Sequence, residues 1–192
     1  MNLAFKYKDE LFWIQNFLPK NLYKEMYSDF IKHRNKLNFQ KTHVDWRTYK
    51  EEVDDMSESF NQDEFIKMDY FKKYHTLLRH QKFVNIFDNI FHSHLRKFNY
   101  MQHLTWHDDA PIIANGDIRE YAATYYFNKT WGESWGAEFM YKTSEGFGFI
   151  PVIGNSLVIV KAGIRHRVNA NLKKTHPRLS IQTWIHKEKE KA

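Results

Sequence analysis

A histidine and two aspartates stand together in the middle of the chain, at His107, Asp108 and Asp109, directly after the apolar run 104–106. Side chains alternate between the two faces of a strand, so residues i and i+2 point the same way. If the run is a strand, His107 and Asp109 face one point together and Asp108 faces away. The pair would then offer an imidazole nitrogen and a carboxylate oxygen to one divalent metal ion.

A third ligand can come from His166, which follows the apolar run 157–160, itself a predicted buried strand. Two histidines and one carboxylate on one face of an octahedron form the site of non-haem iron(II) oxygenases and leave three positions open. A histidine two residues from an acid also arises by chance in a chain with 11 histidines and 23 acids. The motif at 107–109 is therefore weak evidence when taken alone.

The strand predicted at 178–185 carries the next informative residues. Arg178, Ser180, Gln182 and Trp184 alternate along it and share one face. An arginine that points into an apolar interior needs an anion, and its planar guanidinium suits a carboxylate, to which Ser180 can add a hydroxyl donor. The alternative is that Arg178 pairs with an acid of the protein itself. That interpretation is better for an isolated arginine, but not for this combination.

These residues need a scaffold of strands, and the second half of the chain has the pattern of one. Short runs rich in aromatic and β-branched residues, separated by Gly, Asn and Pro, predict strands. Six of them at this spacing predict a sandwich or barrel. They cover 100–106, 121–127, 137–141, 147–153, 157–161 and 178–185.

The first half has helical patterns instead. Apolar residues recur at helical spacing over 20–34 and over 82–96, so two amphipathic helices are predicted. His92 and His94 would not share a face of the second helix and are not expected to be ligands. The segment 44–65 is acidic and irregular and predicts an exposed loop.

Helices followed by strands indicate an α+β fold, mostly β, with the N-terminal helices packed on one sheet. The 192 residues contain no long polar linker, so a single domain is expected. Within it, 1–97 would be helical support and substrate loops, 98–186 the core of strands, and 187–192 a solvated tail.

Composition narrows the class of protein. The absence of cysteine excludes a disulfide framework and thiolate chemistry. The net charge of +6 permits an anionic substrate without demanding nucleic acid. The N-terminal sequence lacks the pattern of a signal peptide, and no apolar run approaches 18 residues, so a cytoplasmic protein with no membrane partner is expected.

The chain resembles the 2-oxoglutarate- and Fe(II)-dependent dioxygenases, in particular the prolyl 4-hydroxylase-like branch that includes the hypoxia-inducible-factor prolyl hydroxylases. His107-x-Asp109, His166 and Arg178 match that family's pattern. Residues 35–80 match no motif of the branch. Further stretches that resemble it are NFLP at 16–19, HDDAP at 107–111, YYFNKTW at 125–131 and WGAEF at 135–139.

The resemblance implies a double-stranded β-helix, or jelly roll, that holds Fe(II) on His107, Asp109 and His166. It also implies catalysis in which 2-oxoglutarate and dioxygen are consumed, a substrate C–H bond is hydroxylated, and succinate and carbon dioxide are released. Ascorbate is a candidate reductant.

The same resemblance assigns the co-substrate pocket. The distal carboxylate of 2-oxoglutarate would meet Arg178, with Tyr126 and Ser180 as hydroxyl partners. Trp184 would form a wall of the iron pocket, although a plain core position is an equal alternative for it.

A prolyl residue in a protein or peptide is the leading substrate, and a free small molecule such as an amino acid is the alternative. A non-catalytic jelly-roll binding module is the main alternative to an enzyme. Trp184 stands where nucleic-acid demethylases of the superfamily carry a second arginine, so a nucleic-acid substrate is disfavoured. Asp109 argues against the halogenating relatives, and a zinc hydrolase would leave Arg178 and Tyr126 unexplained.

Overall fold

The computed structural model describes residues 1–33, 40–43, 56–60, 69–111 and 116–187, within which lie twelve strands and two α-helices. In chain order these are β1 (Asn2–Tyr7), β2 (Leu11–Gln15), α1 (Lys20–His33), β3 (Gln40–His43), β4 (Met56–Phe60), α2 (Asp69–Arg79), β5 (Ile90–Phe98), β6 (Leu104–His107), β7 (Ile118–Tyr126), β8 (Phe139–Thr143), β9 (Gly146–Ile150), β10 (Ser156–Lys161), β11 (His166–Val168) and β12 (Arg178–Lys187).

The strands form two antiparallel sheets. The larger sheet has the order β1-β2-β10-β7-β12-β5-β4-β3, and the smaller has the order β6-β11-β8-β9. Tyr126 and Val158 of the larger sheet pack with Phe139 and Ile150 of the smaller one in a shared apolar cluster. The smaller sheet thus closes over one face of the larger, as expected for a jelly roll.

Both helices pack on the opposite face of the larger sheet. Met26 and Phe30 of α1 belong to one buried cluster with Tyr74 and Leu78 of α2 and with Ile181 of β12. Within each helix the two side chains are four residues apart, which places them on one stripe. The predicted packing of N-terminal helices on one sheet is confirmed.

Most predicted elements of the second half are present. The six strands expected there correspond to β6 to β10 and β12, with ends shifted by a few residues, and the first predicted helix is α1. The smaller sheet also contains β11, a strand of three residues, which the sequence pattern did not reveal.

The second predicted helix, over 82–96, is wrong. Residues 90–98 form strand β5, residues 81–89 contain no helix, and the second helix lies earlier, as α2. Phe87, Phe91 and Leu95 are four residues apart and imitate a helical stripe. In the strand, Phe91 and Leu95 instead alternate with polar residues and face the helices.

The order of helices first and strands afterwards is also wrong. Strands β1 and β2 precede α1. In the larger sheet β2 pairs with β10, and β1 pairs with β2 at the edge. Together with β5, they show that the larger sheet contains strands from both the first and the second half of the chain.

Part of the first half cannot be compared with its prediction. The loop expected over 44–65 lies outside the described residues except for β4, which is a strand. The tail expected over 187–192 also lies outside them, apart from Lys187 at the end of β12.

Within the described part of the chain, no helix has both the length and the apolar composition needed to cross a bilayer.

Candidate metal centre

Strands β6 and β11 bring His107, Asp109 and His166 together inside the jelly roll. The two histidines are direct partners in the antiparallel pair, and their ring centroids are 4.2 Å apart. Oδ2 of Asp109 lies 3.9 Å from Nε2 of His166. Asp109 is 5% exposed, whereas Asp108 is an exposed residue, so the alternation predicted from the strand holds.

Hydrogen bonds fix the tautomer of both imidazoles. Nδ1 of His107 lies 2.8 Å from the carbonyl oxygen of Thr105, and Nδ1 of His166 lies 2.8 Å from that of Ile164. A carbonyl oxygen can only accept, so each Nδ1 must carry the proton. In this tautomer Nε2 of each ring carries the lone pair, which is the form that binds a metal ion.

The electrostatics of His107 favour the same form. Burial lowers the pKa of His107 to about 4, and the positive charge of a protonated His166 would lower it as well. The Thr105 carbonyl and the Asp109 carboxylate act in the opposite direction, but less strongly. His107 is therefore neutral near pH 7 and can act as a ligand without first losing a proton.

The donor set fits a divalent metal after a small closure. Two ligand atoms bound cis to one ion at about 2.1 Å are about 3 Å apart. The separation between Asp109 Oδ2 and His166 Nε2 is longer, and the described residues contain no three such side chains already at full coordination distance. A movement of the Asp109 carboxylate by about 1 Å towards His166 would bring these two atoms to that separation.

The second oxygen of Asp109 is held by two donors. Arg119 donates from its NH1 group to Oδ1 over 3.2 Å, and the indole Nε1 of Trp184 donates to the same oxygen over 3.3 Å. The guanidinium of Arg119 also lies 5.3 Å from the centre of the Trp184 ring. These contacts turn Oδ2 towards the histidines and neutralise part of the carboxylate charge.

Arg178 lies at the other end of the same pocket and is only 1% exposed. Its guanidinium carbon is 4.8 Å from the centre of the Phe98 ring and 4.9 Å from that of Tyr126. The donations to Ser180 Oγ and Tyr126 OH are long, at 3.4 Å each, and Nε has no partner. No carboxylate among the described residues pairs with Arg178, so the predicted alternative of an internal ion pair is not seen there. A buried guanidinium in this state is suited to a carboxylate ligand.

A cavity of about 250 Å³ connects the two ends. Its wall combines the polar groups described above with apolar side chains that exclude water. The lining residues are Arg96, Phe98, Leu104, His107, Asp109, Thr124, Phe139, His166, Val168, Arg178, Ser180, Gln182 and Trp184. Tyr126 is not on the wall itself, but its hydroxyl reaches Arg178.

Two further residues of the site, Arg119 and Arg96, were not predicted from the sequence. Arg119 lies ten residues after Asp109, on β7, and only the fold brings the two together. Arg96 falls in the helix predicted over 82–96, and that prediction gives no indication that its side chain lines the cavity. In a strand, Arg96 and Phe98 share one face, so a correct prediction of β5 would have placed both side chains together.

The assignment of His92 and His94 to a helix is corrected as well. They lie on strand β5, where residues two apart share a face, so the prediction that they would point in different directions is wrong. His94 packs against Trp184 at 5.1 Å between ring centroids, and His92 against His186 at 5.2 Å. Neither of them lines the cavity.

Solved structures with a similar fold include two prolyl hydroxylases and an epimerase. A prolyl-4-hydroxylase from Pseudomonas putida has a TM-score of 0.69 at 14% identity, and the match covers 94% of each chain. A prolyl hydroxylase from Trichoplax adhaerens, in complex with a peptide of the hypoxia-inducible-factor oxygen degradation domain, has a TM-score of 0.68 at 16% identity, with 93% of this chain and 84% of that chain covered. The non-haem, α-ketoglutarate-dependent epimerase SnoN of nogalamycin biosynthesis has a TM-score of 0.70 at 11% identity, with 96% and 81% covered.

These likenesses confirm the predicted double-stranded β-helix, and at such low identities they show the fold alone. A comparison with curated proteins finds no match. A family model described as the 2OG-Fe(II) oxygenase superfamily matches residues 93–186. The matched segment contains both candidate histidine ligands, Asp109 and Arg178. Residues 93–186 therefore belong to the 2OG-Fe(II) oxygenase superfamily, a family of oxidoreductases that use iron, 2-oxoglutarate and dioxygen.

Proposed function

We propose that the chain is a single oxygenase domain that hydroxylates an unactivated C–H bond, with a prolyl residue of a protein or peptide as the leading substrate. In the balanced reaction, the substrate, 2-oxoglutarate and dioxygen give the hydroxylated product, succinate and carbon dioxide. One observation carries the proposal: two histidines and a carboxylate face a buried arginine across one cavity of about 250 Å³.

Each side chain of this cavity has a defined task in the proposal. Nε2 of His107, Nε2 of His166 and Oδ2 of Asp109 would hold the iron, which supplies the oxidising chemistry when bound. Phe139 stacks on the His166 ring with centroids 5.2 Å apart and an interplanar angle of 23°. This contact keeps the imidazole plane in place and excludes water from one side of the ligand.

The opposite end of the cavity would bind and orient the co-substrate. Arg178 would form a charge-assisted pair with the distal carboxylate of 2-oxoglutarate, because Arg178 lines the same cavity as the metal ligands. The hydroxyls of Tyr126 and Ser180, which now contact the guanidinium weakly, can donate to the same carboxylate. This ion pair would be buried, so the carboxylate of the co-substrate would neutralise the charge of the Arg178 guanidinium.

The prolyl assignment is supported by two of the similar folds. The proteins from Pseudomonas putida and Trichoplax adhaerens are prolyl hydroxylases, and the second was solved with a peptide. The epimerase has the same fold at a comparable TM-score, so the fold is compatible with other substrates. A free amino acid is therefore the second candidate.

Mass spectrometry of the reaction products tests the proposal. The purified protein is reconstituted with Fe(II) without oxygen and is then exposed to air with 2-oxoglutarate and a panel of proline peptides and free amino acids. We expect succinate to form slowly without substrate, and a product 16 Da heavier to appear for at least one probe. His107→Ala is the matched loss-of-ligand variant and should form neither product. Absence of both iron binding and succinate in the wild type would favour a non-catalytic binding module.

A further inference from the structure

Strand β9 forms one edge of the smaller sheet, and its sequence, GFGFI, contains no charged residue. β8 pairs with one side of β9, and in the sheet order of the described residues no strand lies on its other side. Natural edge strands usually carry charges, proline or bulges that prevent a further strand from pairing with them. The free side of β9 lacks these protective features.

Two phenylalanine side chains of β9 are exposed on the outer face of the smaller sheet. Phe147 is 68% exposed and Phe149 is 63% exposed. Gly148 between them faces the Tyr141 ring, which packs against the inner apolar cluster, so the two phenylalanines point outwards. Phe147 also meets Trp106 edge-on, with ring centroids 5.7 Å apart. Exposed apolar side chains that lie next to one another are typical of an interaction site.

The backbone groups of both phenylalanines point away from β8. Phe147 stands opposite Lys142, and the Lys142 N–H donates over 2.9 Å to the carbonyl oxygen of Arg165, on the other side of β8. Lys142 and Phe147 thus form a non-hydrogen-bonded pair, in which the N–H and C=O groups of both residues point outwards. The same holds for Phe149, two residues later. In the part of the chain that the structure describes, neither phenylalanine makes a backbone hydrogen bond on the free side of β9.

This pattern makes β9 complementary to a second copy of itself. If two β9 strands pair antiparallel about a two-fold axis at Gly148, Phe147 of each copy stands opposite Phe149 of the other. The free backbone groups belong to these two residues, so both pairs are hydrogen-bonded and each phenylalanine N–H gains a carbonyl acceptor. The two Gly148 residues then form the non-hydrogen-bonded pair between them, where the strands approach most closely.

Other symmetric registers match less well. An axis between two residues would place the outward groups of one copy opposite groups that the other copy uses for its ladder with β8. An axis at Phe149 would place Phe147 opposite Pro151, which has no N–H to donate. An axis at Phe147 would place Phe149 opposite Glu145, whose N–H already donates to Thr143 Oγ1 over 3.2 Å. The register about Gly148 is therefore the one that the sequence favours.

The side chains of the outer face match in the same register. Lys142 stands opposite Phe147, and Met140 stands opposite Phe149, within one copy. Across the two-fold axis, each row would contain Lys142 and Phe147 of one copy followed by Phe149 and Met140 of the other. Aromatic pairs directly opposite one another stabilise a sheet, and the two Lys142 ammonium groups lie in different rows. A partner recognised by charge, in contrast, would find no charged group on β9.

The exposed apolar area suits a weak dimer. Phe5 of β1, at the neighbouring edge of the larger sheet, is 37% exposed, and its ring lies 6.2 Å from that of Tyr141. Together with Phe147 and Phe149 it presents roughly 300 Å² of ring surface per copy. Stable complexes bury about 800 Å² per partner. We therefore expect a dimer that forms at micromolar concentration.

We propose that β9 is a dimerisation edge, and that a second copy of this chain pairs with it antiparallel about Gly148. The two smaller sheets then form one continuous sheet. Two-fold pairing uses the free edge of both copies, so association through β9 stops at the dimer. The candidate histidine ligands lie on β6 and β11, which β8 separates from β9, so the dimer leaves the metal centre open. The inference is independent of the proposed function.

Sedimentation equilibrium of the purified protein, between about 1 and 200 µM, tests the proposal. The wild type should be a dimer at the upper end of this range and a monomer at the lower end. Phe149→Pro removes the outward N–H but no hydrogen bond to β8, and it should stay monomeric throughout. Phe149→Ala keeps the N–H and should weaken the dimer less than Phe149→Pro. Phe87→Ala removes a phenylalanine that is 50% exposed outside β9 and should dimerise like the wild type.

Disulfide formation tests the register, because the chain has no cysteine of its own. Phe147→Cys and Phe149→Cys are mixed under mild oxidation, and one of the two carries a tag so that the mixed product separates on a gel. Opposite residues of a hydrogen-bonded pair have Cα atoms about 5.5 Å apart, within the range of a disulfide. In either variant alone the cysteines are diagonal, about 7–8 Å apart. The mixture should therefore cross-link at least about fivefold faster than either variant alone.

Each possible result supports or overturns the proposal. A wild type that is monomeric over the whole range would overturn it and leave the face to another partner. A dimer that persists in Phe149→Pro would lie elsewhere on the molecule, and so would a dimer that is lost in Phe87→Ala. Cross-linking that is as fast in the single variants as in the mixture would exclude the register about Gly148. Circular dichroism spectra like that of the wild type would show that the variants are folded.

Discussion

Arg119 and Asp109, which lie ten residues apart in the chain, meet behind the candidate metal centre with 3.2 Å between the guanidinium NH1 and carboxylate Oδ1. Trp184 donates to the same oxygen from β12. The carboxylate therefore has one oxygen held by the protein and the other turned towards His166. We therefore expect Arg119 and Trp184 to affect the affinity for iron although neither of them contacts the metal.

Removal of either donor should weaken iron binding. Trp184→Phe removes the indole N–H but keeps an aromatic ring, and Arg119→Met removes the cation but keeps much of the apolar stem. Loss of such supporting hydrogen bonds typically costs 10–100-fold in metal affinity, and we expect about tenfold for each variant because the other donor remains. Anaerobic titration with Fe(II) measures the effect. Wild-type iron affinity in both variants would show that Asp109 needs no such support.

Replacement of Arg178 should separate co-substrate binding from stability. Arg178→Met removes the charge but retains an unbranched apolar side chain in a site that is 1% exposed. Loss of a buried charge pair costs about 2–5 kcal/mol, so the Kd for 2-oxoglutarate should rise by about thirtyfold or more.

The Tm of this variant without ligand should be at least that of the wild type, because a buried cation with weak partners has been removed. Ser180→Ala serves as the mild comparison, since its contact to Arg178 is long, at 3.4 Å, and only a few-fold effect is expected. An unchanged affinity for 2-oxoglutarate in Arg178→Met would show that Arg178 does not bind the co-substrate.

The pH dependence of stability should reflect a half-buried histidine on α2, outside the cavity. His75 of α2 packs edge-on against Phe91 and has its Nε2 2.7 Å from Ser93 Oγ. Burial lowers the pKa of His75 to about 4, and the charge of Arg79 contributes in the same direction. Because the unfolded state takes up this proton near pH 6.5 and the folded state only near pH 4, the stability contribution is complete above pH 6.5 and is lost as the pH falls towards 4.

Thermal unfolding at pH 7 and pH 5 measures this contribution. Between these two values the wild type should lose about 2–4 °C more in Tm than His75→Gln, which cannot take up the proton. An equal decrease in Tm in the two proteins would show that protonation of His75 does not change the free energy of unfolding.

Strand alternation was sufficient to predict the most local part of the site. The difference between Asp108 and Asp109 follows from the period of a strand, and the structure shows one exposed and the other buried. The face shared by Arg178, Ser180 and Trp184 follows from the same rule, and all three line the cavity. These relations depend only on neighbours in the sequence.

Relations that depend on tertiary structure could not be predicted in this way. Strand β5 is covered on both faces, and its helix-facing row includes Ser93, whose hydroxyl is satisfied by His75 and Thr183. The apolar period of two was therefore interrupted, and the spacing of Phe91 and Leu95 favoured a helix. The position of Arg96 on the cavity wall was missed for this reason. The contact of Arg119 with Asp109 was missed because it joins β7 of the larger sheet to the residues that follow β6 of the smaller sheet.

A comparison of two adjacent carboxylates shows whether His107, Asp109 and His166 hold one iron ion. Asp109→Ala and Asp108→Ala remove the same group one residue apart, from a buried and an exposed position. Anaerobic titration with Fe(II) should find one ion bound with wild-type affinity in Asp108→Ala, and affinity reduced by about a hundredfold or more in Asp109→Ala, because one of three protein ligands is lost. Iron binding that is retained in Asp109→Ala and lost in Asp108→Ala would show that Asp109 is not a ligand.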